Sequence, residues 1–278
     1  MSLVLLTGAT GFVGRQIHRA LIARGHGVRA AIRRGTAGRL AAPADIVETD
    51  NLFGEDAPWW THACAGVDAV IHAAWYVEHG RYSDAAENAA CVTGSFALAQ
   101  GASKAGVRHV IGIGTCMEYR LPGTRIGIDT ALEPQNFYAA CKLSTYHQWR
   151  QWFAIEDVAF SWARLFYLHG EGEDPRRLAA YLHRSLASGE RASLSAGTQI
   201  RDFLDVRDAA AMIASIVDSG QTGPVNICSG QAITIRAFAE DIADSYGRRD
   251  LLDFGSAPLR PSDPAAVVGL CNLEPAIP

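Results

Sequence analysis

Tyr138 and Lys142 stand four residues apart within Phe137 to Phe153, a stretch whose apolar residues recur at helical spacing. That separation puts both side chains on one helix face, about one turn apart. An ammonium beside a phenol favours the phenolate, so the pair can give or take a proton near neutral pH. An isolated tyrosine, with a pKa of about 10, does this poorly. Thr115 closes the apolar run Val110-Ile111-Gly112-Ile113-Gly114-Thr115. Its hydroxyl stands where a central strand would meet a ligand crevice and could hydrogen-bond a reacting oxygen. A further cluster, Gly8, Gly11 and Gly14, follows the apolar run Leu3 to Leu6 and precedes a helical pattern over Arg15 to Ala23. This reads as strand, glycine turn and helix N-terminus. Glycines let the backbone bend and approach a pyrophosphate, while unpaired helix N–H groups and the helix dipole supply positive potential. The turn therefore suits a dinucleotide, although its Gly-x-x-Gly-x-x-Gly spacing differs from the common Gly-x-Gly-x-x-Gly. Taken singly, the glycines could be a bare turn and the Tyr–Lys pair surface decoration; their order along one chain argues for a site.

The elements that must position these residues alternate. Val28 to Ile32, Asp45 to Glu48, Ala69 to His72, Val110 to Ile113 and Phe160 to Leu165 read as strands. Helical patterns occupy Ala85 to Ala105, Phe137 to Phe153 (with Asn136 as a cap), Arg176 to Ser188, Asp208 to Val217 and Ile235 to Tyr246. The expected fold is α/β, a Rossmann-type doubly wound parallel sheet covered on both faces. Residues 1–165 would form the dinucleotide-binding domain. Residues 166–278 would form mainly a smaller α/β substrate lobe over the carboxyl ends of the strands, with some segments returning to the sheet.

With 278 residues, 49% hydrophobic and 19% charged, the chain suits an ordinary globular protein with a sizeable core. A net charge of -4 without a basic block argues against nucleic acid, and no apolar run is long enough to span a bilayer. The first core strand starts at once, so no signal peptide is expected. Six cysteines lie far apart without a Cys-x-x-Cys, which suggests neither a metal site nor disulfides, and cytoplasmic residence with free thiols follows.

These residues resemble the extended short-chain dehydrogenase/reductase family, specifically its NAD-dependent epimerase/dehydratase group. Thr7-Gly8-Ala9-Thr10-Gly11-Phe12-Val13-Gly14 is similar to the family's cofactor turn, Asp50 to the residue that meets the adenine, and His72-Ala73-Ala74 to the strand end beside the cofactor. Thr115-Cys116-Met117-Glu118-Tyr119 resembles the segment from the catalytic Ser/Thr to a tyrosine four residues on, and Tyr138 with Lys142 the Tyr-x3-Lys pair. Arg201-Asp202-Phe203-Leu204-Asp205-Val206 and Arg260-Pro261-Ser262-Asp263 resemble two motifs whose arginines grip a substrate diphosphate. The resemblance implies that Arg201 and Arg260 bind a nucleotide-diphosphate sugar, although Arg201 could instead pair with a carboxylate.

Departures from the pattern narrow the chemistry. Dehydratases of the family resemble Thr-Asp-Glu where this chain has Thr115, Cys116 and Met117, so a dehydratase lacking both carboxyl groups is not expected. Cys116 is expected to be a buried structural thiol. The family's Asn of a helix motif is Cys91 here, with Asn88 one turn earlier. At the end of the second strand, Ile32 stands where NAD-selective members carry an acid, and Arg33 and Arg34 follow. A guanidinium suits a 2′-phosphate, so NADP is preferred over NAD, with two solvated loop arginines as the alternative. The implied function is NADPH-dependent reduction of the 4-keto group of a nucleotide-linked 4-keto-6-deoxyhexose. A C4 epimerase retaining NAD, a carbonyl reductase of a non-nucleotide substrate and a non-catalytic NADP-binding sensor are the alternatives. A homodimer through the helices Ala85 to Ala105 and Phe137 to Phe153 is also implied. Trp75, His79 and His169 are open between pocket and loop packing.

Overall fold

The computed structural model describes residues 1–259 and 263–274; Arg260 lies outside the described residues. In chain order the first half runs β1 (Leu3–Thr7), α1 (Phe12–Ala23), β2 (Gly27–Arg33), β3 (Asp45–Thr49), α2 (Ala57–Ala63), β4 (Ala69–His72), α3 (Glu87–Lys104), β5 (His109–Thr115), β6 (Gly123–Ile126), α4 (Phe137–Ile155) and β7 (Ala159–Leu165). The second runs β8 (Tyr167–His169), α5 (Leu178–Ala187), β9 (Ala192–Leu194), β10 (Ile200–Arg201), β11 (Phe203–Asp205), α6 (Val206–Ser219), β12 (Gly223–Ile227), β13 (Ile233–Thr234), α7 (Ile235–Tyr246), β14 (Leu252–Phe254) and β15 (Ala266–Gly269). Each strand and helix expected from periodicity is present. The helix α2 was not expected, although its start carries a readable signal: Asp56 caps it by accepting from the Trp59 N–H at 2.9 Å, with Pro58 in the first turn.

Seven strands form one parallel sheet in the order β12-β7-β5-β4-β1-β2-β3. Successive residues of each inner strand serve opposite faces. Val4, Leu6, Ile71 and Ile111 pack with Ile17 and Leu21 of α1 and Ile213 of α6. Leu5, Val70 and Val110 pack with Trp60 of α2, Leu98 of α3 and Trp149 and Phe153 of α4. These side chains are buried on both faces. At about 1.5–3 kcal/mol for each fully buried Leu, Ile or Phe, both helix layers are needed to hold the sheet. The result is a Rossmann-type α/β fold.

The strand order reverses between β1 and β4, which opens a crevice at their carboxyl ends. The later elements pack beside it. Leu182 and Leu186 of α5 join Phe238 and Ile242 of α7 in a separate small core, where Phe203 stacks on Phe238 at 3.9 Å. A second sheet, β13-β10-β15-β6, takes strands from both halves of the chain. Cys116, Tyr119, Phe166 and Val267 pack together beneath the end of β5, tying that sheet to the site.

Candidate active site

The turn between β1 and α1 is shaped by contact with the end of β4. Gly8 has φ +73°, and a Cβ there would lie 2.8 Å from the Ala73 carbonyl carbon and the Ala74 nitrogen. A Cβ on Gly14 would lie 2.0 Å from the Gly8 oxygen, so the first turn of α1 presses directly on the loop. Below, the Thr7 hydroxyl meets His72 Nδ1 at 2.8 Å and accepts from the Ala74 N–H at 3.1 Å, while His72 Nε2 meets Ser95 at 2.9 Å. Gly11, at the N-cap of α1, provides no side-chain cap, and no acidic residue sits in the first turn. The first-turn amides therefore remain available where Phe12 and Val13 line the cleft, and this donor set fits a pyrophosphate. Thr10, Gly11, Ala73 and Ala74 line the same cleft.

Beyond β2 the arginines divide. Arg33 lines the cleft, and so does Arg39, which sequence reasoning did not single out. Arg34 turns away and pairs through Nε with Asp50 Oδ1 at 3.0 Å. That pairing corrects the expectation for Asp50: its exposed carboxylate is absent from the cleft wall, which is formed there by Asn51, Leu52 and Phe53. Ile32 lines the cleft in the position expected for an acid, so no carboxylate ends β2.

Thr115, Tyr138 and Lys142 converge on the other side of the crevice, all three lining it. Asn136 caps α4 through the Ala139 N–H at 2.9 Å and so fixes the start of the helix that carries the pair. Lys142 is buried, donates to the Ile113 carbonyl at 2.7 Å and lies 3.8 Å from the centre of the Trp75 ring. Desolvation lowers its pKa to about 7, against the opposing pull of the Glu118 carboxylate. Burial pushes the Tyr138 phenol up, and the Thr115 side chain facing it acts in the other direction. Tyr82 and Trp75 stand edge-on to the Tyr138 ring at 5.0 and 6.4 Å.

Asn88 anchors this aromatic wall. It accepts from the Trp75 indole N–H at 2.8 Å and donates to the Tyr82 and Ala85 carbonyls at 2.7 and 2.9 Å. Cys91 is buried and lines the cleft without taking over that bonding. Trp75, Tyr82 and His79 thus belong to the cleft, whereas His169 packs on Phe203 and Phe238 outside its lining. Cys116 is a buried thiol, its pKa raised to about 12 by desolvation, and Met117 lines the cleft. No carboxyl group stands at either position.

The substrate side differs from expectation at Arg201. Its guanidinium is only 1% exposed, donates to Asp263 at 2.6 Å and to the Ile200 carbonyl at 2.8 Å, and lies over the Tyr167 ring. Arg201 is therefore a buried ion-pair partner and not part of the cleft lining, which includes Asp263 and Gln199 instead. Asp202 is equally internal, accepting from the backbone of Ser229, Gly230 and Gly269. The arginines that do line this side are Arg176 and Arg177, ahead of α5 and held by Asp174 and Glu173 at 2.7 and 3.1 Å. The cleft encloses about 1820 Å³. That exceeds the roughly 300–1,000 Å³ of a one-ligand pocket and leaves room for a dinucleotide and a second large ligand together.

The model of the NAD dependent epimerase/dehydratase family matches residues 4–228. The chain belongs to that family. It is accordingly an NAD(P)-dependent enzyme of the extended short-chain dehydrogenase/reductase kind. Among its relatives, the dTDP-6-deoxy-L-talose 4-dehydrogenase (NAD(+)) of Aggregatibacter actinomycetemcomitans is 20% identical over 268 residues, covering 96% of this chain and 98% of the relative. The dTDP-6-deoxy-L-talose 4-dehydrogenase (NAD(P)(+)) of Kitasatospora kifunensis is 27% identical over 257 residues, covering 88% and 79%. The crystal structure of the Thermus thermophilus UDP-glucose 4-epimerase in complex with NAD has the same fold, with a TM-score of 0.83 at 23% identity, over 97% of this chain and 90% of that one. Among the described residues, no helix is long and apolar enough to cross a membrane.

Proposed function

We propose that this protein uses NADPH to reduce the 4-keto group of a nucleotide-linked 4-keto-6-deoxyhexose. The observation that carries the reading is one cleft that joins Thr115, Tyr138 and Lys142 to two pairs of lining arginines, with no carboxyl group at Cys116 or Met117. Arg33 and Arg39 suit a 2′-phosphate, and Arg176 and Arg177 suit a substrate diphosphate. The two 4-dehydrogenases, which act on a dTDP-linked 6-deoxyhexose at C4, support the substrate class and the position of reaction.

A reduced nicotinamide, when bound, supplies the hydride. The protein's part is to hold the ketone and manage the proton. Tyr138 would protonate the oxygen as negative charge develops on it, and Thr115 would donate a hydrogen bond to the same atom. Lys142 would bind the cofactor ribose and stabilise the phenolate left on Tyr138. Binding energy from the diphosphate would orient a sugar that offers little grip of its own.

Incubation with dTDP-4-keto-6-deoxyglucose and either NADPH or NADH tests the reading. Oxidation of NADPH with formation of a 6-deoxyhexose is expected; no turnover with any 4-keto nucleotide sugar would overturn it. The second reading is a C4 epimerase with retained NAD, favoured by the fold shared with the Thermus epimerase and by a Thr–Tyr–Lys group that serves either reaction. Release of stoichiometric NAD on denaturation, with interconversion of UDP-glucose and UDP-galactose without added cofactor, would select it.

The six cysteines are unpaired, which supports work in a reducing compartment, the cytoplasm. A homodimer through α3 and α4 completes the proposal. Phe96 and Trp152 meet edge-on at 5.4 Å beside Ile155, which is 76% exposed, around a hollow of about 480 Å³. Light scattering should give the mass of a dimer, and Ile155→Arg should shift it toward monomer.

A further inference from the structure

Glu118 stands in the loop after β5, between Thr115 and the tyrosine of the motif, and its carboxylate is fully buried. A buried charge is costly unless paired and hydrogen-bonded, so its partners show what it is kept for. Arg164, itself 1% exposed, donates from Nε at 2.7 Å, and the Trp162 indole N–H lies 3.0 and 3.1 Å from the two oxygens. The remaining donor is the backbone N–H of Thr115, at 2.8 Å from Oε1. The site is built around this carboxylate. A Cβ on Gly114 would fall 2.6 Å from Glu118 Oε1 and 2.3 Å from Trp162 Nε1, so only glycine at the end of β5 admits it.

The bonds continue outward. Arg164 donates to the Tyr119 hydroxyl at 3.2 Å, Tyr119 donates to Asn226 at 2.7 Å, and Asn226 donates to the carbonyls of Ile126 and Leu270 at 2.9 and 3.1 Å. One chain of bonds thus runs from the backbone of Thr115 to β7, β12 and the end of β6. At its inner end the Thr115 hydroxyl accepts from the Met117 N–H at 3.3 Å, completing a reciprocal cap with Glu118. The same side chain hydrogen-bonds Tyr138, so the cap holds the Thr115 hydroxyl beside the phenol in the cleft.

We propose that Glu118 is a positioning residue: anchored by Arg164 and Trp162, it fixes the backbone of Thr115 so that the Thr115 hydroxyl is held beside Tyr138, within reach of the reacting oxygen. This rests on the reading that Thr115, Tyr138 and Lys142 perform the chemistry. Glu118 touches neither substrate nor cofactor and acts through Thr115.

The test uses two variants, each judged on folded protein by circular dichroism and melting temperature. Glu118→Leu combined with Arg164→Leu removes both charges and the bond to Thr115 without stranding a buried ion. Glu118→Asp keeps a carboxylate for Arg164 but withdraws it from the Thr115 N–H, and serves should the apolar pair not fold. Each is expected to lower kcat about tenfold or more, to leave both KM values within about twofold, and to raise the isotope effect with 4-deuterated NADPH. Added to Thr115→Ala, Glu118→Asp should cause no further loss, since it keeps the carboxylate charge that acts on Lys142 and Tyr138 and withdraws only the bond to Thr115. A folded variant with wild-type kcat, or a Glu118→Asp loss that multiplies with that of Thr115→Ala, overturns the proposal. Tyr138→Phe separates the two levels: if it is inactive while the Glu118 variants are normal, the positioning role alone fails; if it is active, the underlying reading fails.

Discussion

The Lys142 ammonium lies 3.8 Å from the centre of the Trp75 indole, and the same indole is held from its far edge by Asn88 at 2.8 Å. A cation over a tryptophan face is stabilised by about 0.5–2 kcal/mol, the more so when water is excluded. That contact and the Ile113 carbonyl keep Lys142 buried beside the cleft with no carboxylate bonded to its Nζ, so burial still draws its pKa down to about 7. Lys142 and Tyr138 line the same cleft from one helix, one turn apart. Asn88, one helical turn before Cys91, reaches the active site through Trp75.

Tyr138→Phe should retain NADPH affinity and lose most of its turnover. The ring and its packing on Tyr82 and Trp75 remain, while the proton donor goes, and positioned general acids contribute about 10²–10⁴-fold. Stopped-flow binding beside steady-state kinetics checks both halves. Near-normal kcat on the true substrate would remove Tyr138 from the mechanism.

Arg33→Ala and Arg39→Ala should each weaken NADPH while leaving NADH nearly unchanged, because only the former carries a 2′-phosphate. Loss of a charge-assisted hydrogen bond of roughly 1.5–3 kcal/mol corresponds to about tenfold or more in Kd. Titration of both cofactors by fluorescence measures it. Equal losses for the two would assign these arginines to the general surface and promote the NAD-retaining epimerase.

The sheet was legible because strands buried on both faces read as short apolar runs, and the Tyr138–Lys142 pair because four residues is a helical interval. Contacts set by distant parts of the chain were not. Arg33 and Arg34 are adjacent, yet β2 ends at Arg33, and from the turn that follows Arg34 meets Asp50 while Arg33 lines the cleft. Nothing local marks Arg39, which the turn after β2 brings back to the crevice. Arg201 carries the motif of a diphosphate ligand, but its partner Asp263 comes from a segment beyond α7. Glu118 looked like one more residue of a matched motif, and only the packing of Trp162 and Arg164 from β7 revealed its burial.

Arg201→Met should therefore act mainly on stability. Removing the buried partner leaves Asp263, among the described residues, with the amide of Gln199 at 3.1 Å, and breaking such a pair is commonly costly, up to about 3–5 kcal/mol when both groups are buried. Asp263 is 31% exposed, which reduces that figure. A lowered melting temperature is expected, with kcat/KM of the folded protein for a nucleotide sugar and for a small ketone each within about threefold of wild type. A loss of tenfold or more confined to the nucleotide sugar would return Arg201 to the role its motif suggests.

Acid should destabilise the protein before its carboxylates titrate. His72 and His109 are buried, and desolvation lowers their pKa values to about 3 and about 4, with the Lys142 charge adding to the effect at His72. In the unfolded chain both titrate near 6.5, so between that pH and the folded values the unfolded state binds more protons. Stability is then lost as pH falls from about 6.5 toward 4, by about 1.4 kcal/mol per pH unit for each histidine. His109 lies far from the cleft lining and bonds through Nε2 to Ser161 at 2.7 Å, a contact that a glutamine amide can replace. Urea unfolding of His109→Gln between pH 6.5 and 5 should show a slope against pH smaller than wild type by about that amount. Identical slopes would mean that His109 is protonated in the folded state and that its burial does not govern its charge.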